Sequence, residues 1–489
     1  MARKATESDA SAPRQQVYEA KPGAACAALP SGYRRRDPEA TVLHEVVREH
    51  LSTFLLECAQ EGGLPRFVEK DFTAYLECGV LAHGFSRVVC SACKDEFLLA
   101  YSCKHRGVCP SCNARRAHDT AIHLEAAVLP RLPYRQWTLS FPMRLRFLLA
   151  RDAAALSDAL NLFVRALFTF QRRSARKLGI PTPHTGAVAF VQRFGSALQL
   201  TPHFHVLVPE AVFERVPQMG PETEALVARP HSLPPPDDEE VERLLRTVAL
   251  RVVRLFRKQG KLDNLTCDGV LDALRAQATQ QRLPLGEEPS PPKRRCAFLE
   301  GFSLHANTRV HENDRDNLRR LCAYGARGPL SLERLSWLPD GRVAYRMKRP
   351  AASGQTELVL EPLEFLRRIA ALVPPPRVNL VRFFGFFAPN ASLRKHLVPK
   401  PPKQVPSVPA APSPPSTPAT KYRVPWAQLL QRTFATDVLT CDSCGGPRRL
   451  VACVFSSTVA REILEHLRLP ARPLPRAPAR GPPQYELYA

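Results

Sequence analysis

The order of apolar and polar positions divides the chain before any chemistry is considered. Between Thr41 and Tyr75, Leu43, Val46, Val47, Leu51, Phe54 and Leu55 recur at helical spacing and predict a helical lead-in. Residues 134–141 read as a strand, followed by helical stretches near 143–150 and 153–178. Gly186 to Phe194 reads as a second strand, and a third carries His203-Phe204-His205 into an aliphatic tail ending at Val208. Side chains two apart on a strand share a face. His203 and His205 are therefore expected to point the same way, with Phe204 packed on the other side. Further on, the pattern predicts a basic helix over 240–259, a strand from Phe298 to Val310 and a helix over 313–327. A hairpin is expected from Arg342–Lys348 and Thr356–Leu360, then a helix from Pro362 to Leu372 with the proline in its first turn. Residues 229–240, rich in Pro and acid, read as a loop or inserted arm, residues 284–295, rich in Pro and charge, as another loop, and no internal repeat is visible.

These elements predict an α+β protein. Residues 1–38 are polar and Pro-punctuated, as in a disordered tail, and 39–125 hold the helical lead-in and a Cys-rich segment. Residues 126–397 form the central domain, an antiparallel sheet with flanking helices. A Pro-rich linker spans 398–420, a small Cys-x-x-Cys module 421–470, and a Pro/Arg tail 471–489.

Charge narrows the partners. The 489 residues include 69 Lys plus Arg against 46 Asp plus Glu, a net charge of +23, which points to a polyanion. Nucleic acid is favoured over membrane, because there is no run of 18 apolar residues and no basic amphipathic helix with an aromatic face. The first residues lack the apolar core of a signal peptide, so a reducing cytoplasm is expected. The 14 cysteines then read as metal ligands or buried thiols, not disulfides.

Cys90-x-x-Cys93 and Cys109-x-x-Cys112, with 15 residues between the pairs, have the spacing of a zinc ribbon or treble clef. These four thiolates are expected to hold one structural Zn²⁺. Cys78, His83 and Cys103, with His105, are candidates for a second site, although Cys78 and Cys103 equally suit buried thiols. Arg106, Arg115 and Arg116 nearby suit phosphate contact. Cys441-x-x-Cys444 is half a zinc site that Cys453 and His466 can complete, or a metal-free turn.

On the 313–327 helix, Asn313 or Asp314 can cap the start, and Leu318, Leu321, Cys322 and Gly325 fall on one face. Tyr324 lies at the edge of that stripe, with Arg320 and Arg327 on its other side. A phenol flanked by guanidiniums can attack a phosphodiester whose oxygens the arginines hold. An edge tyrosine is also an ordinary structural residue. Of the ten tyrosines, Tyr18, Tyr33, Tyr485 and Tyr488 fall in tails and Tyr422 borders the linker. Tyr75 and Tyr101 flank the Cys-rich segment, Tyr134 opens a strand, and Tyr345 sits in a basic hairpin.

The His-x-His strand, the later tyrosine helix and the N-terminal Cys cluster together resemble the HUH rolling-circle transposases, most closely the IS91 and insertion-sequence-common-region group. The matching segments are 78–90, 102–112, 192–208, 301–306, 321–324, 387–394 and 438–446. The resemblance implies an HUH-type fold and a bacterial enzyme, associated in use with the nucleoid. It implies nicking of one DNA strand by Tyr324 through a 5′-phosphotyrosine, with Mg²⁺ or Mn²⁺ held by His203 and His205. The partner implied is DNA, as single-stranded or hairpin ends of a mobile element. His305 is the first choice of third metal ligand and Gln192 the second. Some members carry two tyrosines four apart; here Arg320 and Gly328 occupy those positions, which implies a single-tyrosine enzyme. Two other classes compete. One is a non-catalytic zinc-containing nucleic-acid-binding regulator, and the other a metal-dependent phosphodiesterase that activates water.

Overall fold

A computed structural model describes residues 36–219, 224–262, 269–280, 294–348, 350, 354–392, 394–397 and 438–481. The expected N-terminal tail and the linker lie outside the described residues, apart from the tail's last three positions. So does nearly all of the loop expected over 284–295.

The central element is a six-stranded antiparallel sheet. Its order is Val381–Gly385, Gly186–Phe194, Leu200–Pro209, Tyr134–Ser140, Phe302–Val310 and Cys296–Leu299. The two histidines lie on the third of these, an interior strand with a neighbour on each side. Register places Phe190 opposite His205 and Gln192 opposite His203 on one neighbour, and Thr138 and Ser140 opposite the same histidines on the other. Residues facing one another across an antiparallel pair point to the same side. One face of the sheet therefore carries the histidines with Phe190, Gln192 and Thr138.

The opposite face is apolar. Trp137, Leu139, Ala189, Val191, Phe204, Val206 and Leu304 pack there against the helices Ala153–Lys177 and Asp238–Lys258. Phe204 is fully buried with its ring edge-on to Phe141 at 5.2 Å. Burying one such side chain contributes roughly 2–3 kcal/mol. The helix Asp238–Lys258 starts with a full capping box, Asp237 and Glu240 each bonding the other's backbone N–H. Ala153–Lys177 is long and apolar enough to cross a membrane by composition alone. Here its apolar stripe, including Leu156, Leu160, Phe163 and Leu167, lies in the protein core.

On the histidine face two helices, Pro110–Ala127 and Arg315–Ala326, cover Val188, Phe190 and Leu207. Gly325 makes this contact possible: a Cβ there would lie 2.6 Å from the Phe190 ring. The first helices, Val42–Gln60 and Arg66–Glu77, form another core with the helices Val270–Gln280 and Pro362–Leu372. A three-stranded sheet of Leu335–Trp337, Val343–Arg346 and Glu357–Leu360 joins it.

The strand expected over 298–310 is instead a hairpin, Cys296–Leu299 with Phe302–Val310. Glu300 and Gly301, with φ of 47° and 81°, make its two-residue turn, the positive-φ geometry that suits antiparallel strands. The Pro-rich stretch expected as a loop or inserted arm from 229 begins inside a strand: Glu224–Ser232 pairs with Ala211–Met219. The C-terminal Cys-x-x-Cys segment is not a separate module. Its strand Arg448–Val454 pairs with Phe85–Cys90, which pairs in turn with Glu96–Ala100. The chain then runs back over the first helix, where Ala477 and Arg480 donate backbone N–H bonds to Arg48 O and Thr53 Oγ1.

Candidate active site and cysteine centres

The His203 and His205 rings stand 5.0 Å apart on the sheet face. Each has one nitrogen occupied by an oxygen of its own sheet. His203 Nδ1 is 2.7 Å from the Thr201 carbonyl, which obliges that nitrogen to carry the proton. His205 Nδ1 is 3.0 Å from Thr138 Oγ1. His205 Nε2 is buried and has no partner among the described residues, so a ring nitrogen that ordinarily demands one is left facing the site. Burial, then the neighbouring His203 and Arg327, pushes the His205 imidazole down to about 3. Burial also lowers His203, opposed by the Thr201 bond and reinforced by Arg327 and Arg146. Both rings are thus held neutral, the form that ligates a cation.

Tyr324 comes to the same place from the helix Arg315–Ala326, its ring 5.8 Å from that of His205. Asp314, not Asn313, caps this helix, accepting from Asn317 N at 3.0 Å. At the other end Gln192 Nε2 donates to the Tyr324 and Gly325 carbonyls at 2.7 and 3.2 Å. The strand beside the histidines therefore holds the turn that carries the phenol. Tyr324 is the most exposed of the described tyrosines, at 36 %. Tyr345 is 2 % exposed and donates to the Pro329 carbonyl, and Tyr134 is buried and donates to the Pro130 carbonyl.

Two cations flank the phenol ring. The Arg327 guanidinium lies 4.6 Å from its centroid and Lys348 Nζ 4.9 Å. Arg320 was expected in the second place, but its Nε reaches back 3.4 Å to the Asp316 carbonyl of its own helix. Lys348 arrives from beyond the strand Val343–Arg346, a position that helical phase on the tyrosine segment could not reveal. Arg327 also lies 5.1 Å from the Phe194 ring.

The third-ligand candidates fall differently. His305 shares a row with Thr138 and His205, since Thr138 faces both, but it is two strands away, roughly 10 Å at normal strand spacing. Its Nδ1 is 3.0 Å from Cys296 Sγ and its ring meets Phe298 at 5.4 Å. Among the described residues no third His, Cys, Asp or Glu stands within ligand reach of the His pair. Gln192, opposite His203, adjoins the pair and uses its amide nitrogen on the helix.

The cysteines assemble in two groups, and the pairing differs from that expected. Cys109 and Cys112 join Cys78 and Cys103, while Cys90 and Cys93 join Cys441 and Cys444. Spacing alone cannot distinguish these arrangements, because each Cys-x-x-Cys turn supplies two thiols to whichever pair the fold brings opposite. In the first group Cys109 precedes the helix Pro110–Ala127 and Cys112 lies in its first turn. Sγ separations are 3.5 Å for Cys103–Cys112, 3.6 Å for Cys109–Cys78 and 3.7 Å for Cys78–Cys112. Bonds from the other three thiols hold Cys78 far below the ordinary thiol range. Thiolates about 2.3 Å from one tetrahedral Zn²⁺ lie roughly 3.8 Å apart, so the set fits that ion. His83 is exposed and belongs to neither group. His105 pairs with Asp71 at 3.5 Å, and that carboxylate also accepts from Gly107 N and Val108 N. Cys453 and His466 do not join Cys441 and Cys444; Cys453 Sγ lies 3.8 Å from Ser86 Oγ.

Two of the arginines expected to face phosphate are committed within the protein. Arg106 donates to the Val378 and Pro375 carbonyls at 2.6 and 2.9 Å, and Arg116 to the Lys104 carbonyl at 2.6 Å. Arg115 lines a cavity of about 140 Å³ with Lys104, Arg116 and Asp119.

A family model described as "Putative transposase" matches residues 186–395, and one described as "Transposase zinc-binding domain", of the IS91 type, matches residues 46–141. The first match holds Gln192, both histidines, Tyr324 and Lys348; the second holds Thr138 and six of the eight clustered thiols. No curated protein and no solved structure matches the chain.

Proposed function

We propose that this chain, which belongs to the IS91-type transposases with an N-terminal zinc-binding domain, nicks and rejoins single DNA strands through Tyr324 on an HUH-type sheet. The observation that carries the reading is the exposed phenol of Tyr324, 5.8 Å from the ring of a buried histidine whose Nε2 has no partner among the described residues. His203 and His205 would hold a divalent ion, Mg²⁺ or Mn²⁺; when bound, such an ion supplies Lewis-acid polarisation of the scissile phosphate.

The remaining roles belong to the chain. Tyr324 Oη attacks phosphorus, the new P–O bond forms as the bond to the 3′ oxygen breaks, and that oxygen takes a proton to leave as a free 3′-OH. The 5′-phosphotyrosine preserves the bond energy, so the reverse attack rejoins DNA without a nucleotide cofactor. Arg327 and Lys348 place positive charge beside the phenol ring, which favours the approach of phosphate and can hold its oxygens. Gln192 and Gly325 fix the phenol's distance from the histidine row. The four thiols of Cys78, Cys103, Cys109 and Cys112 would hold a structural Zn²⁺ that orders a segment too small to form its own core. DNA would reach the site as a single strand or hairpin end.

The test is a nicking assay on labelled single-stranded DNA, with and without EDTA. Tyr324→Phe is expected to lose both nicking and the denaturant-resistant adduct. His203→Ala and His205→Ala should lose cleavage while retaining DNA binding, which the basic surface dominates. Mass spectrometry should place the nucleotide on the peptide containing Tyr324. An adduct that persists in Tyr324→Phe would refute the nucleophile, and wild-type nicking in both histidine variants would refute the metal.

A further inference from the structure

We infer that Cys90, Cys93, Cys441 and Cys444 form a second zinc site, assembled from opposite ends of the chain, that clasps the C-terminal strand onto the zinc-binding domain. The matched zinc-binding segment supplies only the first two ligands. The other two stand about 350 positions later, as the Cys90–Cys444 pair shows with a sequence separation of 354.

Three observations support a built metal centre over a chance meeting of thiols. The first is distance. Sγ atoms are 3.5 Å apart for both Cys90–Cys444 and Cys93–Cys441, and all four lie within 4.8 Å of one another. That fits the roughly 3.8 Å edge of a zinc tetrathiolate.

The second is that the two turns repeat one another. Cys90 N donates to the Asp95 carbonyl at 2.7 Å, and Cys441 N donates to the Gly446 carbonyl at 2.8 Å, each to the residue five positions on. The residue after the second cysteine has positive φ in both, 66° at Lys94 and 70° at Gly445. Such turns aim both thiols of a Cys-x-x-Cys pair to one side. Two of them face each other across the pairing of Phe85–Cys90 with Arg448–Val454.

The third is close approach. A Cβ at Gly446 would meet Ala92 Cβ at 3.1 Å and the thiols of Cys444 and Cys90 at 3.2 and 3.4 Å. Behind the cluster Arg448, 7 % exposed, bonds Asp95 on one turn and Asp442 on the other, at 2.9 and 3.3 Å. Its guanidinium also lies 4.7 Å from the Phe97 ring. This buried cation stands where four thiolates and one Zn²⁺ leave a net charge of −2.

Elemental analysis of the purified full chain tests the site. Two zinc ions per chain are expected in the wild type and one in Cys441→Ser/Cys444→Ser. Cys453→Ser, on the same strand but outside the cluster, should keep two. One zinc in the wild type, two in the double variant, or one in Cys453→Ser would overturn the assignment.

A second measurement does not depend on the double variant folding. A protease site inserted between residues 400 and 420 of the full chain is cut, and the two pieces are followed by gel filtration at falling concentration. Treatment with a zinc chelator is expected to raise the concentration at which they separate by at least tenfold. Separation at the same concentration with and without chelator would overturn the clasp.

Discussion

Gly325→Ala adds one methyl group where the tyrosine helix touches the sheet. The new Cβ would stand 2.6, 2.8 and 3.0 Å from the Cγ, Cδ2 and Cδ1 atoms of Phe190. Carbon atoms prefer roughly 3.5–4.0 Å, so helix and ring must separate by about 1 Å. Phe190 is 2 % exposed, packed on all sides and paired with His205, so it has little room to yield. Overpacking of this kind costs about 1–3 kcal/mol. Alanine regains about 1 kcal/mol of helix propensity, so the net loss of stability should be at most about 2 kcal/mol. Catalysis should suffer more. A displacement near 1 Å of a reacting group costs on the order of 100-fold in rate. The assay is single-turnover nicking of labelled DNA beside urea unfolding and binding measured by anisotropy. Nicking should fall about 100-fold while binding changes little. Phe190→Leu should partly restore nicking in the Gly325→Ala background, with about 0.5–3 kcal/mol of favourable coupling in stability. Wild-type nicking and stability in Gly325→Ala would refute the packing argument, as would a double variant whose losses simply add.

Gln192→Leu removes the donor to two helix carbonyls and should cost about 1–3 kcal/mol of stability, with kcat reduced and DNA affinity retained; unchanged kcat would show that this amide does not position Tyr324. In metal-free protein, burial holds His205 down to about 3 and lowers His203, whereas both protonate near pH 6.5 when unfolded. The unfolded chain therefore binds more protons below about pH 6.5, so this contribution to stability is full above that pH and is lost as pH falls towards 3. The urea midpoint of the wild type should drop more steeply than that of His205→Gln between about pH 7 and 5, and parallel curves would contradict the assignment of neutral rings.

The sequence was most informative where structure repeats over a few residues. The two-residue period of a strand places His203 and His205 together and turns Phe204 to the other side, and the rings do stand 5.0 Å apart with Phe204 buried. Helical phase puts Leu318, Cys322 and Gly325 on the buried face of their helix and leaves Tyr324 at its exposed edge. Pro362 opens a helix because its fixed φ and missing N–H suit a first turn. These choices depend on local sterics, which neighbouring residues carry with them.

Tertiary structure decided how such pieces meet. Both Cys-x-x-Cys pairs near the N-terminus were legible as half-sites, but Cys109 and Cys112 meet Cys78 and Cys103, and Cys90 and Cys93 meet Cys441 and Cys444 through strand pairing between residues 85–90 and 448–454. No local spacing encodes that pairing. Lys348 comes to the phenol in place of Arg320 because a distant strand delivers it, while Arg320 reaches a carbonyl on its own helix. His305 shares a face with His205 yet lies two strands away, since the strand of Thr138 is inserted between them. Periodicity states which way a side chain points. Only the order of strands, set by the burial of both sheet faces, states what it points beside.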